Sequence, residues 1–169
     1  MNQDNLAAKS GGGQSQTNNA AAKTGSSNQT GDTTGNMFNS QAATASNDKS
    51  VLVVEDDRFI GEMYLRELAK SGYTPTLATD GNDGLAKALT NSFDVILLDL
   101  MLPEKQGDEI LRQLRADGDK VPRSKILVLT NYEEDDATRA SLENLADGYL
   151  IKANITPRRL LEIIANLLK

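Results

Sequence analysis

The sequence predicts a doubly wound α/β domain, a parallel sheet of five strands alternating with five helices, behind a disordered tail. Three observations carry that prediction. Composition changes abruptly near Lys49. Beyond it, short unbroken apolar runs recur, as in strands buried on both faces, and the stretches between them repeat their apolar residues at helical spacing.

Residues 1–49 are built from Asn, Ser, Thr, Gly, Gln and Ala, with Phe38 the sole aromatic. Their charges cancel, Asp4, Asp32 and Asp48 against Lys9, Lys23 and Lys49. Such a segment cannot bury enough apolar surface to offset the entropy of ordering it, so it reads as a flexible tether. Residues 50–169 are long enough for one real core.

The first strand is the apolar run Val51 to Val54. Asp56 and Asp57 then offer N-cap chemistry, and Phe59, Ile60, Met63, Tyr64 and Leu68 repeat at helical spacing until Ser71-Gly72. A second strand is expected over 74–78 and a short helix over 81–89. Val95 to Leu98 is a buried strand ended by Asp99. Ile110, Leu111 and Leu114 mark a helix stopping near Asp117-Gly118. Ile126 to Leu129 is a strand ended by Thr130, a helix is expected over 135–145, and Tyr149 to Ile151 is a short strand ended by Lys152. The last helix starts at Thr156-Pro157, a cap residue followed by proline at the first helical position, and Leu160, Leu161, Ile163, Ile164, Leu167 and Leu168 supply its apolar face.

Composition excludes much chemistry. The whole formal charge of −6 falls on residues 50–169, which argues against nucleic acid as a direct partner. Without Cys there are no disulfides or zinc-thiolate sites. Without His there are no imidazole bases and no Ser-His or Cys-His nucleophile pairs. Any chemistry must use carboxylates, Lys, hydroxyls and backbone groups. No apolar leader follows Met1 and no stretch approaches a membrane span, so a cytoplasmic location without membrane insertion is expected.

In a parallel α/β sheet ligands bind outside the carboxyl ends of the strands. Those ends carry Glu55 and Asp56, Asp99, Thr130 and Lys152. Each has an ordinary alternative: a helix cap, a turn residue, a strand-end hydroxyl, a solvated cation. Together at one sheet edge they form a coherent set. Three crowded carboxylates repel, and Mg²⁺ relieves such repulsion with a few carboxylates, waters and phosphate oxygens. Asp99 is then a nucleophile toward phosphorus, Lys152 a counter-charge and Thr130 a hydrogen-bond donor for the transferred group.

The run Val51-Leu52-Val53-Val54-Glu55-Asp56, the run Ile96 to Pro103 with Gly107, the block Leu127 to Thr130 and the block Gly148 to Lys152 resemble the receiver domains of bacterial two-component response regulators. The resemblance covers about the whole of residues 50–169 and implies a flavodoxin-like sheet of order 2-1-3-4-5. It implies phosphorylation of Asp99 by a sensor histidine kinase or phosphotransfer protein. It also implies Mg²⁺ bound by Asp56 and Asp99, by Glu55 through water and by the Met101 carbonyl. Thr130 and Lys152 would contact the phosphoryl group, and Tyr149 would be the switch aromatic that follows Thr130. Asp57, a third acid, reads as a helix cap. The output face would be the fourth helix, fifth strand and fifth helix, acting on an unknown downstream protein, with the chain a monomer or a phosphorylation-dependent dimer. By the same resemblance the domain catalyses its own phosphoryl transfer and dephosphorylation and is not a substrate-turnover enzyme.

Three features, at four positions, depart from the family pattern. Ala153 follows Lys152 where Pro is usual, which predicts either a rare cis bond, at about 2.5–4 kcal/mol, or a rearranged loop. Lys105-Gln106 replaces an apolar-acidic pair, and Asn131 replaces a small residue. Two other functions compete: a phosphorylation-independent docking scaffold, against which the complete polar set argues, and an aspartyl-nucleophile phosphatase, which needs a second Asp where Met101 stands. The last helix runs to Lys169, which leads to the expectation that output passes through a separate protein.

Overall fold

Within β1 (Ser50–Val54), β3 (Val95–Asp99) and β4 (Lys125–Thr130), successive side chains enter opposite cores. Leu52, Val54, Ile96, Leu98, Ile126 and Val128 share one core. Val51, Val53, Val95, Leu97, Leu127 and Leu129 share the other. This alternation of two apolar sets is why these strands read as unbroken apolar runs. The computed structural model describes residues 48–90, 92–115, 118–131 and 134–169. The predicted tail lies, up to residue 47, outside the described residues.

The remaining elements are α1 (Arg58–Lys70), β2 (Thr74–Ala78), α2 (Gly81–Thr90), α3 (Gly107–Arg115), α4 (Asp136–Glu143), β5 (Gly148–Ile151), a 3₁₀ turn (Lys152–Asn154) and α5 (Pro157–Leu167). The sheet order is β2-β1-β3-β4-β5, all neighbours parallel, as predicted. The first core takes Ala88 from α2, Ile110, Leu111 and Leu114 from α3, and Leu142 from α4. The second takes Tyr64 and Leu68 from α1 and Leu160 and Ile164 from α5. Helices thus cover both faces, and strand order reverses between β1 and β3, where a crevice opens at the carboxyl edge.

Two boundaries differ from expectation, and one alternative left open is resolved. Lys49, assigned to the tail, belongs to the folded domain: its ammonium reaches Asp94 at 2.9 Å and its carbonyl accepts the Thr74 N–H. The fourth helix is shorter than 135–145. Asp135 is its cap, accepting from the Ala137 and Thr138 amides. At its other end Leu145 N–H turns to Leu142 O, tightening the last turn as Asp147 N–H is drawn to Ile126 O on the sheet. Lys152–Ala153 is trans, and the rearranged loop is the 3₁₀ turn, closed by Ile155 N–H on Lys152 O.

The edge opposite the crevice is tied by Asp147. One carboxylate oxygen accepts from the Ile126 amide at 2.9 Å and Arg115 at 3.0 Å, the other from Lys125 at 3.0 Å. Burial alone would raise its pKa; the bonds from Ile126 and Lys125 and the charges of Lys125 and Arg115 overcome this and hold it below 3.8. A carboxyl whose folded pKa is depressed stabilises the fold above its unfolded pKa and loses that contribution as pH falls through the folded one. Asp147→Asn is therefore expected to destabilise by about 2 kcal/mol at neutral pH. Urea titrations across pH check this: the gap from wild type should close below pH 3.8, and a gap constant with pH would refute it.

Candidate functional site

Glu55 follows β1 directly and remains anchored to the sheet, its N–H donating to Ala78 O at 3.0 Å. Its side chain is therefore held at the crevice and buried. The chain then leaves the sheet. Asp56 is the first exposed residue, and Asp57 turns back to cap α1 by accepting from the Phe59 and Ile60 amides. The sequence reading of Asp57 as a helix cap matches this geometry. Asp99, last residue of β3, and Thr130, last of β4, are both buried.

Lys152 joins these ends. Its ammonium donates to Glu55 Oε2 at 2.6 Å and to Asp99 Oδ2 at 2.5 Å, and all three side chains are almost wholly out of solvent. The other Asp99 oxygen accepts the Met101 N–H at 3.1 Å. Met101 thus meets Asp99 through its amide, and its side chain is exposed. The replacement of the usual Pro by Ala153 leaves Lys152 in the crevice, because the 3₁₀ turn begins at Lys152 itself.

Burial raises the Glu55 pKa; Lys152 opposes this, while the charges of Asp99 and Asp56 reinforce it. Burial alone would lower the Lys152 pKa, but its hydrogen bonds to Asp99 and Glu55 prevail and raise it. One cation therefore faces three carboxylates. Ligand oxygens of Glu55, Asp56 and Asp99 lie within 4.8 Å of one another. Two buried carboxylates, a third at the rim and an incomplete charge balance form an all-oxygen donor set that fits a small hard divalent cation. Glu55, Asp56 and Asp99 would hold it, and it would neutralise charge at the crevice.

Thr130 and Tyr149 occupy the opposite face. Val128 pairs with Tyr149 and Thr130 with Ile151, so Tyr149 and Thr130 fall on one side of adjacent strands, with Val128, over the core shared by α4. The Tyr149 ring packs against that core, and Arg139 lies over it with its guanidinium carbon 5.4 Å from the ring centroid. Burial raises the phenol's pKa, and a hydrogen bond from the Glu134 backbone opposes that shift.

Close backbone approach shapes the rest of the crevice. A Cβ on Gly107 would stand 1.9 Å from Asp99 O, and one on Gly81 would stand 1.9 Å from Lys105 O. The loop carrying Glu104, Lys105 and Gln106 is thereby held against the start of α2, and the start of α3 against the end of β3. Glu104 adopts φ 68°, and Lys105 turns away to pair with Glu109 at 2.7 Å. Asn131 is exposed just beyond Thr130. Sequence reasoning brought Glu55, Asp56, Asp99, Thr130 and Lys152 together. It missed Gly81, Arg139 and the second aspect of Tyr64. That residue reads as helix core, yet its buried phenol lies within electrostatic reach of Lys152, Glu55 and Asp99, and burial raises its pKa. A helical apolar pattern cannot show which end of a tyrosine meets a charge.

Residues 51–165 match the response regulator receiver domain family. Response regulator MprA of Mycobacterium sp. strain KMS is 40% identical over 117 residues, 69% of this chain and 48% of MprA. The chain spans about half the length of the curated relatives it matches. Among solved structures, a CheY-like receiver domain protein from Methanospirillum hungatei JF-1 is 33% identical, covering 72% of this chain and 94% of that one with a TM-score of 0.62. A Burkholderia pseudomallei response regulator with a phosphorylated aspartic acid, a calcium ion and citrate is 30% identical, covering 69% and 66%, with a TM-score of 0.61. No helix among the described residues is long and apolar enough to cross a membrane.

Proposed function

The chain belongs to the response regulator receiver domain family of two-component signalling, and from that premise we propose that it is a Mg²⁺-dependent switch phosphorylated on Asp99 by a histidine kinase or phosphotransfer protein. The observation that carries this reading is the Lys152 ammonium bridging Glu55 and Asp99, with Asp56 at the rim. A cation placed between a nucleophilic carboxylate and its neighbours is positioned to neutralise a third anion arriving there.

In the proposed transfer, an Asp99 carboxylate oxygen attacks the phosphorus of a phosphohistidine. The P–N bond breaks, its electron pair stays on the imidazole nitrogen, which takes up a proton, and an acyl phosphate forms. Lys152 exchanges its bond to the Asp99 carboxylate for one to a phosphoryl oxygen, and Thr130 donates its hydroxyl hydrogen to another. Water attacking the same phosphorus later restores the carboxylate and releases inorganic phosphate. Catalysis is confined to the domain's own phosphorylation and dephosphorylation. The Met101 carbonyl completes the proposed metal set. Movement of Thr130 draws Tyr149 with it, and the change is read by a partner protein on the face of α4, β5 and α5.

The experiment is intact-mass analysis after incubation with Mg²⁺ and acetyl phosphate. Wild type should gain one phosphoryl group and Asp99→Asn none. A wild type without an adduct would favour a docking scaffold of the same fold, and an adduct retained by Asp99→Asn would place the acceptor elsewhere. Omitting Mg²⁺ should abolish labelling of the wild type, measured in the same way.

A further inference from the structure

We propose that Arg139 is a positioning residue that acts through Tyr149, holding the ring in its resting place and so setting how readily Asp99 accepts a phosphoryl group. The inference rests on the switch reading above and deepens it. Two groups of α4 and its approach meet the Tyr149 side chain, and a third fixes one of them. The Arg139 guanidinium stacks on the ring at 5.4 Å, inside the range of cation–π attraction. Glu143, one turn along the helix, fixes that guanidinium through Nε at 2.8 Å. The Glu134 backbone hydrogen-bonds the phenol oxygen.

The strand register supplies the other half of the argument. Tyr149 stands beside Val128, and the next residue of β4 on the same face is Thr130. Tyr149 therefore has a cation of α4 over its ring and shares a sheet face with the hydroxyl expected to move toward the phosphoryl group. When Thr130 is drawn to Asp99, the space it leaves lies on the Tyr149 face, and a ring that enters it leaves Arg139 behind. The stack exists only in the resting placement. By linkage, removing it must favour the phosphorylated state. Nearly half of the Arg139 side chain is exposed, so its loss opens no cavity in the core.

The test is equilibrium binding of beryllofluoride with Mg²⁺ to the full chain, read by NMR from the Tyr149 ring and the backbone amides. Arg139→Ala should bind about two- to fivefold more tightly than wild type, the range set by one exposed cation–π contact. Before any addition its ring signals should already be displaced toward their bound positions. Arg139→Lys, which keeps a cation over the ring, should stay within about twofold of wild type. The gain should vanish when Tyr149 is replaced by Leu, since a double-mutant cycle isolates the pair. Arg139→Gln repeats the test with a longer side chain if the alanine variant frays α4. Unchanged or weaker binding in Arg139→Ala, or an equal gain in the Tyr149→Leu background, overturns the proposal. If wild type binds no beryllofluoride, the acceptor reading falls; ring signals of untreated Arg139→Ala that match wild type would then overturn the latch separately.

Discussion

Lys152→Met is expected to lower the unfolding free energy by about 3 kcal/mol in magnesium-free buffer, and added Mg²⁺ should restore a large part of the loss. Methionine keeps most of the lysine stem, so packing changes little and the missing quantity is the charge. What remains is the Glu55 and Asp99 carboxylates, both buried, with no ammonium between them. Removing one partner of a buried ion pair leaves an uncompensated charge, and that is the expensive case. Glu55 limits the damage: burial already raises its pKa, so protonation relieves part of the repulsion. A divalent cation bound by Asp56, Asp99 and Glu55 supplies the charge that Lys152 no longer does. Urea unfolding of wild type and variant, with and without Mg²⁺, measures both effects. An equal Mg²⁺ stabilisation in the two proteins would mean that the crevice does not couple Lys152 to a metal. A variant as stable as wild type without metal would remove the electrostatic argument altogether.

The sheet was legible because burial on both faces leaves short unbroken apolar runs, which at four to five residues are too short for buried helices. Val51 to Val54 and Val95 to Leu98 are continuous apolar runs, and in the fold their alternate members feed two different cores. The site was legible for a related reason. A strand that ends its apolar run on Asp99, Thr130 or Lys152 places that residue at the carboxyl edge of a parallel sheet wherever the helices lie. Local capping was equally readable at Asp57 and Thr156, whose side chains bond amides two or three residues away. What escaped was long-range or side-chain specific. Nothing in the spacing from Arg139 to Tyr149 shows that a helix and a strand will stack these two side chains. The 3₁₀ turn at Lys152 resolves an alternative that propensity left open, because the turn depends on where α5 is docked. The shortened α4 follows from Asp147 bonding to Ile126, a contact made across the sheet edge.

Gly107→Ala is expected to reduce phosphoryl acceptance about a hundredfold and to destabilise the fold by about 3 kcal/mol, although it adds a single methyl group. The new Cβ would stand 1.9 Å from Asp99 O and 2.8 Å from Asp99 C and Leu100 Cα. All three are backbone atoms, so no rotamer change relieves the clash; the end of β3 and the start of α3 must separate. That separation stretches the Gly107 N–H bond to Leu100 O, now 2.9 Å, and moves Asp99, the proposed acceptor. A displacement of about 1 Å at a reacting group is enough for a loss of this order, because the in-line geometry of transfer is set by position. Gly118→Ala is the control. It lies far from any neighbour at φ +89°, so its expected effect is a backbone penalty of about 1 kcal/mol with phosphorylation unchanged. The time course of acetyl phosphate labelling, followed by intact mass on folded protein, separates the two variants. Wild-type kinetics in Gly107→Ala would show that β3 and α3 can part without moving Asp99, and the close packing behind the acceptor would then serve stability alone.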